Sequence, residues 1–206
     1  MVMSLYEKYV LPRLINFACG SKPILKQREK VVPFCEGRVL EVGIGTGHNL
    51  KFYDPAKVER VFGLEPSQEM VKRAEIAAAK VDIPVEFIPL PGEEIPLDDK
   101  SVDTVLLTYT LCTIPDTAQA LAQMRRVLKP GGKLLFCEHG RAPDAAVQKW
   151  QDRLDGVWGK IGGGCHINRD IPTLIHQAGF DITDQHSMYV PSTPRIFGFT
   201  YWGAAS

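Results

Sequence analysis

The chain has 206 residues, 45% of them apolar and 23% charged, enough to bury a sizeable core as a single domain. Its 24 basic residues balance 24 acidic ones, so no global attraction to nucleic acid is expected. The five cysteines, Cys19, Cys35, Cys112, Cys137 and Cys165, are widely spaced with no Cys-x-x-Cys pair, which points to a reducing compartment and away from a metal site.

At the N-terminus, Glu7, Lys8 and Arg13 interrupt the stretch a signal peptide would need. Nowhere do eighteen apolar residues run together, so no transmembrane segment is expected and the cytoplasm is the expected location. In the segment 1–36, Leu5, Tyr6, Tyr9, Val10 and Leu14 can form one apolar face. Such a face serves as a lid over the protein's own active site, or makes a peripheral membrane contact. The remainder, 37–206, reads as one α/β domain.

"GRVLEVG" is a short apolar strand, followed by a glycine-rich turn that opens a brief helix, and "RVFGLE" is a second strand. Ser67 is expected to cap "QEMVKRAEIAAAKV", with Glu69 in its first turn. "VEFI" and "SVDTVLLT" follow as strands. Asp116 and Gln119 have the spacing of a capping box ahead of "AQALAQMRRVL", and Lys129-Pro130-Gly131-Gly132 ends that helix. "KLLFCE" is the fifth strand.

Beyond it, "DAAVQKWQDRLDGVWGKI" has the pattern of an amphipathic helix and leads into the loop "GGGCH". Asn168 is expected to cap a further helix ending at Gly179. Two β-like runs, "FDITDQHSMYV" and "IFGFTYW", complete the pattern. Strands alternating with helices indicate an α/β sheet, and two terminal strands are unusual for a dinucleotide enzyme.

Gly43, Gly45 and Gly47 have the spacing G-x-G-x-G, with His48 where a dinucleotide fingerprint would place its last glycine. A turn this bare lets a ligand lie against backbone. Glu65 ends the second strand, where a carboxylate reaches a ribose diol, and Glu41 is placed to meet a cationic end of the same ligand; alternatively, both merely end strands.

"VLEVGIGTG", the strand-ending Glu65, "GEEIPLDDKSVDTVLL" and "RVLKPGGKLLF" resemble the class I S-adenosylmethionine-dependent methyltransferases of the type 11 branch. The resemblance implies a Rossmann-like, three-layer α/β/α fold with a seven-stranded sheet whose last strand is antiparallel. It implies S-adenosyl-L-methionine as cofactor, with Glu41 facing the methionine amino group, Gly43, Gly45 and Gly47 forming the cofactor turn and Glu65 holding the ribose. Pro66, Gly92, Glu93, Thr108 and Leu111 complete the implied cofactor set. Where many members place an acidic residue near the adenine amine, this sequence has Pro91, so that contact falls to Gly92 or Glu93 or is absent.

"TLCTIPD", "FCEHGRAPD", "GGGCHINRD" and "PRIFGF" resemble, more narrowly, the methyltransferase-like alkyl thiol S-methyltransferases of mammals. That family has an N-terminal hydrophobic segment tying it to a membrane; here "MSLYEKYVLPRLINFACG" stands in that place, and no such anchor is expected. The resemblance implies a small, apolar thiol as acceptor. A thiol of pKa about 8.5 is a few per cent ionised near neutrality, so a base helps without being compulsory. His139 and His166 are the candidate bases, and His48, His176 and His186 are expected to be structural or solvated. Tyr6, Tyr9, Cys112, Cys165 and Arg169 are candidate substrate contacts, although a free cysteine commonly packs as a small apolar group and Arg169 can equally serve its helix. Other acceptors are a nitrogen or oxygen of a small molecule, a phospholipid amine included. A cofactor-binding protein acting through a partner without turnover is the reading from another class.

Overall fold

The computed structural model describes residues 11–206, with side chains from residue 15 onward. Leu5, Tyr6, Tyr9 and Val10 lie outside the described residues, as does the side chain of Leu14.

Seven strands, β1 (Gly37–Val42), β2 (Val58–Leu64), β3 (Val85–Ile88), β4 (Val102–Thr108), β5 (Leu128–His139), β6 (Ile182–Tyr189) and β7 (Phe199–Ala205), form one sheet. Its order is β3-β2-β1-β4-β5-β7-β6. The strands from β3 to β5 pair in parallel, and β7 runs antiparallel to both β5 and β6. The reversed last strand is the one the family resemblance implies.

The helices are α1 (Leu11–Cys19), α2 (Lys22–Arg28), α3 (Gln68–Ala78), α4 (Thr117–Val127), α5 (Ala145–Ile161), α6 (Ile171–Gln177) and α7 (Arg195–Gly198). Among the described residues, no helix is long and apolar enough to cross a membrane. Local chemistry sets their starts. Ser67 accepts from the Met70 N–H at 3.4 Å and Asp116 from the Gln119 N–H at 2.9 Å, satisfying donors that the first helical turn leaves open. Gly179, at φ +83, closes α6 in the left-handed region.

Three local expectations are corrected. The cap of α6 is Asp170, whose carboxylate accepts from the Thr173 N–H at 3.2 Å, while Asn168 donates instead to Asp152 at 3.0 Å. Pro172 fixes the first turn of α6 and so places the cap two residues later than Asn168. The run "IFGFTYW" begins as the helical turn α7 and becomes extended only at Phe199. The helix behind the glycine turn is a single 3₁₀ turn, Leu50–Phe52.

Alternation along β1 divides the core. Leu40 and Val42 pack on one face with Leu121 and Met124 of α4 and Ile171 and Ile175 of α6. Val39 points to the other face, where it joins Val31, Val32, Cys35 and Leu50, with Ala77 and Ala78 of α3 against them. This is the three-layer arrangement of a doubly covered parallel sheet. Gln151 of α5, fully buried, ties three segments together by donating to the carbonyls of Gly140, Ile167 and Ile196 and accepting from the Ala142 N–H.

Candidate active site

The sheet order reverses direction between β1 and β4, and a cavity of about 310 Å³ opens at the C-terminal ends of these strands, where open α/β sheets bind ligands. Residues 42–46, 64–67, 90–93, 108–110 and 113–115 line it, together with Ile15, Asn16 and Cys19 of α1. Thr46 Oγ1 donates to Asn16 Oδ1 at 2.7 Å and so ties α1 to the glycine turn.

The three glycines answer to three different constraints. Gly43, at φ +73, faces Thr110 so closely that a Cβ would collide with its side chain. Gly45, at φ +57, has room for a Cβ; its left-handed backbone is what requires glycine. At Gly47, φ +80, a Cβ would stand 2.9 Å from Leu50 and 3.1 Å from Ala77, so this glycine brings α3 close to the turn. Gly43 and Gly45 line the cavity; Gly47 lies behind it.

Glu65 is 8% exposed at the cavity wall. Its Oε2 accepts from the Gly45 N–H at 3.2 Å and its Oε1 from the Ser67 N–H at 2.9 Å. Burial pushes its pKa up, and these two bonds pull against that. Each oxygen keeps a further lone pair, so the carboxylate can accept two hydroxyl donors while its own position is fixed. Pro66, Gly92, Glu93 and Thr108 also line the cavity.

Glu41 and Leu111 do not. Glu41 is 1% exposed on the core side of β1, with Asn49 Nδ2 donating to it at 2.8 Å and Tyr53 Oη at 2.6 Å. Burial raises its pKa to about 7, against those bonds and the nearby Arg28. Leu111 is fully buried, and its carbonyl accepts from Arg169.

A second set of residues, not foreseen in the sequence, reaches the same place. Arg28, at the end of α2, is 5% exposed and lines the cavity. Its Nη1 donates to Thr108 Oγ1 at 2.6 Å and to Asn49 Oδ1 at 3.0 Å, while its Nε finds no hydrogen-bond partner among the described residues. Asn49 also donates to Thr108 at 2.8 Å, joining Arg28, Thr108 and Glu41 in one buried network. His48, expected to be structural or solvated, lines the cavity too, and burial lowers its pKa.

The remaining candidates sit beside the cavity. His139 Nε2 lies 3.3 Å from Cys165 Sγ, and Cys112 is 2% exposed. His166 Nδ1 pairs with Asp155 at 2.7 Å, its side chain 41% exposed. Arg169 donates to the Leu111 and Ile114 carbonyls, the latter at 2.8 Å, and thereby braces the loop after β4. Glu138, fully buried, holds the same loop by accepting from the Thr110 N–H at 2.8 and 3.0 Å. Tyr109, immediately before these anchored residues, takes φ +55, a conformation bulky residues avoid unless their surroundings impose it.

The family model described as methyltransferase domain matches residues 40–136. The thiol S-methyltransferase TMT1B of Rattus norvegicus is 35% identical over 170 residues, covering 79% of this chain and 70% of that protein. The human (Homo sapiens) thiol S-methyltransferase TMT1A is 31% identical over 168 residues, covering 78% and 69%. A SAM-dependent methyltransferase from Thermotoga maritima superposes with a TM-score of 0.68 at 20% identity, over 98% of this chain and 97% of that one, a likeness of fold.

Proposed function

The chain belongs to the S-adenosylmethionine-dependent methyltransferase family, and from that premise we propose that it methylates a small, apolar thiol in the cytoplasm by direct in-line displacement. The observation that carries the acceptor is the likeness to the thiol S-methyltransferases across most of both chains. The wide spacing of the five cysteines, with no Cys-x-x-Cys pair, supports a reducing compartment.

The cavity's residues suit this cofactor. Glu65 has two acceptor oxygens for a diol, Gly45 offers bare backbone, and the guanidinium of Arg28 at the cavity wall suits a carboxylate. Bound S-adenosylmethionine supplies an electrophilic methyl on a sulfonium, leaving a neutral thioether when it reacts.

The chain's own residues then have three tasks. Glu65 would take the ribose hydroxyls and Arg28 the carboxylate, with Glu41 behind them accepting from Asn49, whose own Oδ1 accepts from Arg28. Ile15, Asn16 and Cys19 exclude water, which strengthens every polar contact inside and favours a desolvated thiolate as nucleophile. Proton removal falls to a histidine, and His166 has the better support of the two: Asp155 orients its ring while much of the side chain stays accessible.

The test is purified protein with methyl-labelled cofactor and a panel of thiols, amines and phenols. Labelled thioether is the expected product. Transfer to an amine or phenol with none to any thiol overturns the acceptor, and cofactor binding with no product overturns the enzyme reading in favour of a regulatory one.

A further inference from the structure

Three side chains far apart in sequence converge beside the cavity. Cys112 comes from the loop after β4, His139 is the last residue of β5, and Cys165 belongs to the glycine loop after α5. One donor atom from each, the two Sγ atoms and a ring nitrogen of His139, all lie within 4.8 Å of one another, and Cys165 Sγ is 3.3 Å from His139 Nε2. Tetrahedral zinc, with bonds of about 2.3 Å to sulfur and about 2.0 Å to nitrogen, sets its ligand atoms roughly 3.5–3.8 Å apart. The three donors therefore stand close to one triangular face of such a tetrahedron with little movement required.

Charge points the same way. Two thiolates and a neutral imidazole balance a divalent cation, so the loaded centre is neutral and suits its low exposure. Thr113 Oγ1 lies 3.5 Å from Cys112 Sγ, where a hydroxyl can donate to a metal-bound thiolate.

We propose that Cys112, His139 and Cys165 bind a soft or borderline divalent cation, zinc by class. On binding, each thiol gives its proton to solvent and its sulfur lone pair to the metal. Three protein ligands leave a fourth position for water or another exogenous donor. The consequence is mechanical. Of the residues that line the cavity, Thr113 follows Cys112 and Gly163 stands two positions before Cys165, and Tyr109 stacks on His139 with ring centroids 6.2 Å apart. The ion clips these three parts of the wall together. This site goes beyond the thiol reading and does not depend on it.

The experiment is cobalt(II) titration of the full-length, reduced, metal-free protein, alongside metal analysis of protein purified without chelator. One equivalent of cobalt is expected to bind with thiolate-to-metal charge-transfer absorption and the strong visible bands of a tetrahedral ion, and zinc is expected to displace it. Cys165→Ser, Cys112→Ala and His139→Ala should each weaken cobalt binding by more than about 100-fold, beyond the 10–100-fold that loss of an outer partner costs. Wild-type protein that binds no cobalt, or variants that bind it as wild type does, overturns the site; the wild-type measurement holds even if Cys112→Ala fails to fold. Calorimetric binding of S-adenosylmethionine to the same metal-free wild-type sample separates failure of this site from failure of the cofactor reading.

Discussion

Arg28 Nη1 stands 2.6 Å from Thr108 Oγ1, so a guanidinium from the second N-terminal helix is fixed at the C-terminal end of the central strand β4. A buried cation there gives the cavity an electrostatic polarity that the neutral net charge of the chain conceals.

If that cation meets the cofactor carboxylate, Arg28→Ala should weaken S-adenosylmethionine binding by about 1.5–3 kcal/mol, the range for hydrogen bonds to charged groups. Decarboxylated S-adenosylmethionine lacks the group concerned and should bind wild type and variant alike. Calorimetry with both ligands checks this, and an equal loss for the two would show that Arg28 acts only by holding Asn49 and Thr108.

Glu65→Ala should likewise weaken cofactor binding by about 1.5–3 kcal/mol, since it removes both acceptors for the ribose. It also releases the Gly45 and Ser67 N–H groups, so thermal unfolding should move slightly downward with the sheet intact. Unchanged calorimetric affinity in a folded Glu65→Ala protein would end the ribose assignment.

Glu41 gives a pH signature. Its carboxyl, normally near 4.5, titrates at about 7 when folded, so the folded state binds more protons than the unfolded one between these values. Stability from this group is therefore full below about pH 4.5 and declines as pH rises to about 7, by on the order of 3 kcal/mol. Glu41→Gln does not titrate, and its stability relative to wild type should improve across that window in urea denaturation. Parallel stability curves for the two proteins would refute it.

Deleting residues 1–20 should cost turnover more than cofactor affinity, because it removes Ile15, Asn16 and Cys19 from above the cavity. The cut spares Val31, Val32 and Cys35, which belong to the core although they precede β1. Steady-state rates beside calorimetric affinity provide the measurement. Full turnover would discard the lid, and turnover restored by lipid vesicles would replace it with a membrane contact.

For a thiol acceptor, the rate at limiting substrate should climb with pH and level near the thiol's own pKa. A series of thiols of graded acidity should move the plateau accordingly. A midpoint indifferent to the thiol would assign the titration to the protein.

Features set by neighbouring residues were legible in the sequence. The apolar runs that became β1 to β5, the caps at Ser67 and Asp116, and the turn of Gly43, Gly45 and Gly47 each depend on a few consecutive positions. The start of α6 was not, because Asn168 and Asp170 are both competent caps and the choice rests on Pro172 and on Asp152 claiming Asn168. Arg28 was missed for another reason. In a short helix rich in lysine it reads as a solvated charge, and only the fold brings it to Thr108, eighty positions away. Cys112, His139 and Cys165 show the same limit: the absence of a Cys-x-x-Cys pair is a local fact, whereas their convergence is tertiary.

The place of β7 between β5 and β6 has a consequence for how the chain matures during synthesis. β6 leaves the ribosome before β7, yet its pairing partner in the sheet is β7 itself, so it stays unpaired until the later strand is available. During that interval an exposed strand is open to pairing with another chain. Five of its eight residues, Thr183 to Ser187, are exposed in the finished fold, and Asp184, Gln185 and His186 among them make it a poor template for such misassembly.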